Sequence, residues 1–300
     1  MKRILAILLM FIFCKPICGE IKIEFPEVDT LELTSYANFD FAEISESSAL
    51  IKSRQWDDLY WTLNDSGGKN RIFPISRAGK LYRAQWYDED QGGIYIGDAV
   101  NIDWESMTTD DQGNIYIGAC GNNQNIRRDL CIYVFMDPHP IATGTTRYYQ
   151  KINFYYPEQT DYPAPETDQN YDCEAIFWAG GRLFLLTKHR SDTKTCLYTI
   201  NSMHTERRNS ATLIDCFDVK GMVTGAESNN NGTKLAVLTY YSVWLFEGEI
   251  GNWFEGKIWW LPIKAKQCEG ICFDDDETLL ITNEQMEMFE LKTNQLIEIR

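Results

Sequence analysis

Five side chains carrying oxygen ligand atoms recur in one local context. They are Ser48 in Glu46-Ser47-Ser48-Ala49-Leu50, Glu105 in Asp103-Trp104-Glu105-Ser106-Met107, Glu174 in Asp172-Cys173-Glu174-Ala175-Ile176, Thr224 in Val223-Thr224-Gly225-Ala226, and Glu269 in Gln267-Cys268-Glu269-Gly270-Ile271. A side chain repeated at one place in each copy of a repeat is a candidate ligand of something shared. Three carboxylates and two hydroxyls brought together repel unless a cation or protons compensate them. A hard cation such as Ca²⁺ takes several oxygens with flexible geometry, whereas Mg²⁺ prefers to keep its waters. Ser48, Glu105, Glu174, Thr224 and Glu269 are therefore candidate Ca²⁺ ligands. The architectural alternative is a wet channel whose glutamates bond backbone amides of the neighbouring repeat. Asp103 and Asp172 precede anchor glutamates by two residues, so strand alternation puts them on the same side. There they could extend the metal shell, serve as a general base toward water, or form an acidic rim.

Positioning these residues requires a repeated element. After each anchor comes one strand's length, a turn, and a second apolar strand: Leu59 to Leu63, Ile115 to Gly118, Leu183 to Thr187, Leu235 to Thr239 and Leu279 to Thr282. The intervening turns hold Asp57-Asp58, Asp110 to Gly113, Gly180-Gly181, Asn229 to Gly232 and Asp274 to Asp276, residue types that reverse a hairpin. Further strands are expected at Arg71 to Ser76 with Leu81 to Trp86, Cys131 to Met136 with Tyr148 to Phe154, and Ser242 to Phe246 with Lys257 to Leu261. About four antiparallel strands repeated around an axis make a propeller blade, and the first strand of each blade lines the channel. The expected fold is all-β, a five-bladed β-propeller over residues 20–300. Its short last unit, Cys268 to Arg300, would be closed by an N-terminal strand from Ile21 to Thr34, removing an open edge. A six-bladed ring with an anchorless blade built from the termini is the alternative.

A hairpin returns the chain to its origin, so residues after each second strand ring the mouth above the anchors. These are Asn64, Asp65 and Ser66, Asn122 and Asn123, Lys188, His189 and Arg190, Tyr240 and Tyr241, and Asn283 and Glu284. Such loops over a rigid scaffold are where ligands are held. Lys188, His189 and Arg190 make the dense cationic stretch expected to meet an anionic group, or else a solvated turn. Tyr240 and Tyr241 could clamp a ring or simply pack.

The composition, 44% hydrophobic and 13% aromatic over 300 residues, supports a large core. Met1-Lys2-Arg3 followed by the apolar run Ile4 to Phe13 reads as a signal peptide over 1–19. The chain is thus expected to be exported to a periplasmic, extracellular or cell-surface location, with no membrane span. A net charge of −16 argues against nucleic acid as a partner. A small anionic ligand or a protein partner is expected instead. Of nine cysteines, two lie in the leader, and the odd number left cannot all pair internally. Cys120 with Cys131 and Cys196 with Cys216 are the pairs in adjacent strands. A nucleophile elbow, a phosphate-binding glycine loop and a metal-binding histidine pair are all missing from the sequence.

The order Ser, Glu, Glu, Thr, Glu at the anchors resembles the calcium-activated apyrases, five-bladed secreted or lumenal nucleotidases with a central Ca²⁺. That resemblance implies a Ca²⁺-dependent hydrolase of nucleotides or other phosphoesters. The sequence has Thr224 where that family uses serine, and Asn64-Asp65-Ser66-Gly67 in place of a more charged segment. The chain is also similar to secreted bacterial propellers of unknown function. It shares with them Tyr60-Trp61-Thr62-Leu63-Asn64-Asp65-Ser66-Gly67, Asp103-Trp104-Glu105, and Gly118-Ala119-Cys120-Gly121-Asn122-Asn123. Together these imply a calcium-binding exported propeller that acts as a ligand-binding or interaction module, with hydrolysis as the alternative.

Overall fold

The structure is a computed structural model that describes residues 25–65 and 67–300. The leader expected at 1–19 lies outside the described residues. Two short strands come first, β1 (Leu31–Glu32) and β2 (Ala37–Asn38). A first antiparallel meander follows, with β3 (Ser47–Lys52), β4 (Tyr60–Asn64), β5 (Arg71–Ile75) and β6 (Ile94–Gly97). The second contains β7 (Ser106–Thr109), β8 (Asn114–Ala119) and β9 (Cys131–Met136); β10 (Thr145–Arg147) leaves it to pair in parallel with β6, and β11 (Gln150–Tyr155) rejoins beside β9. The third runs through β12 (Asp172–Ala179), β13 (Arg182–Lys188), β14 (Lys194–Ile200) and β15 (Asn209–Asp218). Next come β16 (Val223–Ser228), β17 (Lys234–Thr239), β18 (Ser242–Glu247) and β19 (Lys257–Lys264). Last are β20 (Cys268–Asp275), β21 (Thr278–Asn283) and β22 (Glu287–Lys292), then β23 (Ile297–Glu298), which folds back onto β19. Helical segments among the described residues are single 3-10 turns.

The first strands of successive meanders pack side by side in a closed circuit, β3 on β7, β7 on β12, β12 on β16, β16 on β20 and β20 on β3. Hydrophobic clusters fill the wedge between each neighbouring pair. One joins Trp61 and Leu63 to Met107 and Ile117, another Val134 and Ile152 to Ile176 and Leu185. This is a β-propeller, with its core distributed between sheets rather than held in one place. Rows of small hydroxyl side chains tie the inner strands across the wedges. Ser106 Oγ accepts the Ile176 N–H (2.8 Å), Ser228 Oγ donates to the Trp178 carbonyl (2.7 Å), and Ser47 and Thr282 share a 3.0 Å bond. Each such bond contributes about 1 kcal/mol.

Three local expectations are corrected. Leu81 to Trp86 is not a strand. The Asp40 carboxylate takes the Leu81 N–H (2.8 Å), and Leu81 makes only an isolated bridge to Ile75. The outer position goes to the β-branched Ile94 and Ile96 of β6. The strand that completes the last meander is β2, antiparallel to β22 through Ala37 and Met288, while β1, within the segment expected to do this, lies parallel on β19. Of the two candidate disulfides, Cys196–Cys216 forms, across β14 and β15. Cys120 and Cys131 are free thiols in two different clusters, on opposite sides of their sheet, and so cannot meet.

Candidate functional site

The anchors reach the channel through a backbone device. Pairing of β3 with β4 slips between Ser47 and Ala49, β12 with β13 between Cys173 and Ala175, β16 with β17 between Val223 and Gly225, and β20 with β21 between Cys268 and Gly270. Ser48, Glu174, Thr224 and Glu269 are thus the extra residues of four β-bulges, which re-aim a side chain and bend the strand. Glu105 lies just ahead of β7 and donates its N–H to the Gly118 carbonyl (3.1 Å), the residue paired with Ser106, so two consecutive residues again face one. The small residue after each anchor is needed because neighbouring first strands approach closely. A Cβ on Gly225 would stand 2.4 Å from the Glu269 carbonyl oxygen.

All five anchors are buried, at 5% exposure or less, but their partners differ. Ser48 Oγ donates to the Trp104 carbonyl (3.2 Å) and Thr224 Oγ1 to the Cys268 carbonyl (2.8 Å), each joining one meander to the next. Glu174 Oε1 accepts the Lys188 ammonium at 2.9 Å, and Lys188 also donates to the Tyr240 hydroxyl (3.1 Å). Burial works against the Lys188 charge, but Glu174 and Tyr240 outweigh it and keep the amine protonated. Glu269 accepts from Gln267 Nε2 (3.2 Å). Glu105 has no hydrogen-bond donor among the described residues.

Carboxyls therefore crowd the mouth. Burial, then the charges of Glu174, Asp65, Asp103 and Asp172, push Glu105 well above the ordinary carboxylate range. Burial with Asp65 and Asp172 raises Asp103 to about 6. Burial raises Glu269 to about 7, against its Gln267 bond and with the charge of Glu284. One ligand oxygen from each of Asp65, Asp103 and Glu105 lies within 4.8 Å of the other two. Asp172, fully buried, is differently placed: Oδ1 accepts the Asn122 N–H (2.5 Å) and Oδ2 the Arg190 guanidinium (2.9 Å).

The residues expected on the rim divide into turn builders and groups facing the mouth. Asn122 accepts the Ile126 and Arg127 N–H groups on Oδ1 and donates from Nδ2 to the Tyr171 carbonyl. Asn283 likewise takes the Gln285 and Glu287 N–H groups and donates to the Ala265 carbonyl. Asn64 Nδ2 donates to the Glu43 carbonyl, leaving its buried Oδ1 without a partner among the described residues. Asn123 is exposed. The Lys188-His189-Arg190 stretch is not one cationic patch. Each member holds its own carboxylate: Glu174, Asp192 (2.8 Å from His189 Nδ1) and Asp172 respectively. Glu284 accepts from Gln267, and Tyr240 faces Lys188 while Tyr241 beside it is 77% exposed.

Asn101 carries no signal in the sequence, and Gly121 and Gln267 lie inside the quoted motifs without a role of their own there. Asn101 Nδ2 donates to the Asn64 (3.3 Å) and Asp65 (3.0 Å) carbonyls while its Oδ1 accepts the Trp104 N–H (3.1 Å), fastening the two acidic segments together. A residue three positions before a tryptophan gives no such signal from one sequence.

At the opposite end of the channel, Asp274 accepts from Lys52 Nζ (2.7 Å), Tyr60 hydroxyl (2.5 Å) and Arg77 Nε (2.8 Å). Burial alone would raise it, but these donors hold it down to about 2. A cavity of about 630 Å³ opens there, lined by Lys52, Arg54, Thr109, Glu227, Asn229 and Asp274 among others.

No family model matches the chain, and no curated protein sequence does. Among solved structures it is similar to a gluconolactonase of Xanthomonas campestris described as important in glucose secondary metabolic pathways, at 9% identity and TM-score 0.46, over 90% of this chain and 96% of that one. It is similar to a streptogramin B lyase at 10% identity and TM-score 0.43, over 89% and 97%. It is also similar to a chain of a mitotic checkpoint complex at 9% identity and TM-score 0.40, over 82% of this chain and 63%, under two thirds, of that one. None of these likenesses bears on the residues lining the mouth.

Proposed function

We propose that the chain is an exported five-bladed propeller that takes a hard divalent cation, Ca²⁺ by preference, at its carboxylate-lined mouth and there holds an anionic ligand or partner. The observation that carries the reading is the acidic group of Asp65, Asp103 and Glu105: one oxygen from each lies within 4.8 Å of the other two, Glu105 is buried, and burial with the neighbouring carboxylates raises Asp103 and Glu105. An oxygen-only donor set of this charge suits Ca²⁺ and lacks the nitrogen or sulfur of a zinc site. Ser48 and Thr224 spend their hydroxyl protons on blade-to-blade bonds, so their first duty is closure. The count of five blades is supported by the circuit of inner strands and by β2 supplying the last outer strand. Export is supported by the leader-like opening and by the Cys196–Cys216 disulfide, which suits an oxidising compartment.

A hydrolase reading follows the apyrase resemblance and would use Asp103, whose raised carboxyl suits a base taking a proton from water. Asp172 has both oxygens occupied. Thermal melting of the full chain with chelator and with Ca²⁺ tests the binding reading: calcium should raise Tm, and identical curves would refute it. Turnover of nucleotides or phosphoesters with added Ca²⁺, abolished by Asp103→Asn, would replace it with the hydrolase.

A further inference from the structure

We propose that the cation is held off the channel axis, at the seam between the first and second meanders, by Asp65, Asp103 and Glu105. The proposal rests on the cation reading above and names its ligands. Oxygens bound to one Ca²⁺ at about 2.3–2.6 Å can be no more than about 5 Å apart, and the oxygens of these three residues, all within 4.8 Å of one another, meet that limit. Glu105 is only 5% exposed and receives no hydrogen bond from the described residues. A buried carboxylate without a donor is costly to leave so, and here it is aimed at Asp103.

The wall of the site is cut to the same shape. A Cβ on Gly121 would stand 2.5 Å from Asp103 Oδ2 and 2.7 Å from Glu105 Oε1. Gly121 is not among the positive-φ glycines, so space rather than backbone conformation demands glycine there. Asn101 acts as a positioning residue, clamping the Asp65 and Trp104 backbones together.

The axis is already supplied. The Lys188 ammonium lies on Glu174, Arg190 on Asp172, and Gln267 on Glu269. A second cation beside Lys188 would meet a positive charge. The seam is where three carboxylates converge without a cation bonded to Glu105 or Asp103 among the described residues.

Terbium luminescence on the full chain tests this, since Trp104 adjoins Glu105 and can sensitise a bound lanthanide. Wild type should show saturable emission displaced by Ca²⁺. Asp65→Asn and Asp103→Asn should each weaken binding by about tenfold or more through loss of a charged ligand, and Gly121→Ala should do the same by filling the site. Glu174→Gln and Glu269→Gln, which remove no ligand of the seam, should weaken binding by much less than the roughly tenfold of the aspartate variants. Retained affinity in both aspartate variants, with loss in Glu174→Gln and Glu269→Gln, would overturn the seam site and leave an axial cation. Absence of saturable binding in wild type would overturn both readings. Far-ultraviolet circular dichroism confirms that each variant is folded.

Discussion

The two ends of the channel use the same residue types to opposite effect. At one end Asp274 sits among Lys52, Tyr60 and Arg77, with Arg77 bridging onward to Glu290, and its carboxyl is held at about 2. At the other, Asp103 rises to about 6 beside Glu105 and Glu269 to about 7, and Lys188, the one deeply buried ammonium among the described residues, is committed to Glu174. Desolvation acts on both. What differs is the supply of donors, so the first end is a finished structural knot, while at the second Asp103 and Glu105 are left for something brought from outside. Charge count alone, read from a sequence, cannot tell these apart.

Several changes should break or sharpen that contrast. Lys188→Met leaves Glu174 buried without its cation and should cost about 3–5 kcal/mol in chemical denaturation. Combining it with Glu174→Gln should recover much of that loss. Asp274→Ala strands three donors at the other end and should cost about 2–3 kcal/mol. The pH dependence should have opposite signs at the two ends. Asp103 and Glu269 are raised from 3.8 and 4.5 to about 6 and about 7, so their contribution is present below pH 4 and is lost as pH climbs through 6 to 7. Asp274 is lowered from 3.8 to about 2, so its contribution is present above pH 4 and is lost as pH falls toward 2. In chelator, Tm should therefore fall between pH 5 and pH 8, and Ca²⁺ should flatten that fall. The smallest effect is expected for Asp103→Asn without cation, which relieves repulsion and should stabilise by under about 1 kcal/mol. A loss comparable to that of Asp274→Ala would erase the distinction between the ends.

Much of the scaffold was legible because it is written in short-range terms. The second strands expected at Leu59 to Leu63 and Leu235 to Thr239 are apolar runs closed by turn residues, and they correspond to β4, which begins one residue later at Tyr60, and to β17. The anchors were found by their repetition, but the bulges that aim them were not, since a register slip exists only relative to a partner strand. Lys188 was placed on the rim because it follows an apolar strand; β13 is buried on both faces from Leu183 onward, so alternation could not show that its end turns inward. Asn122 and Asn283 looked like ligand groups, yet asparagine after a strand is equally a turn former, and that is how both are used here. The approach of Gly121 to Glu105 joins two strand ends across a hairpin and has no signature within either segment.

Isothermal titration of Ca²⁺ into the full chain, in two buffers of different ionisation enthalpy, tests the unfinished end most directly. Binding to raised carboxyls must expel their protons. The account predicts one saturable cation per chain, with proton release greater at pH 6 than at pH 8. No saturable heat up to millimolar calcium, or binding without proton release at pH 6, would contradict it.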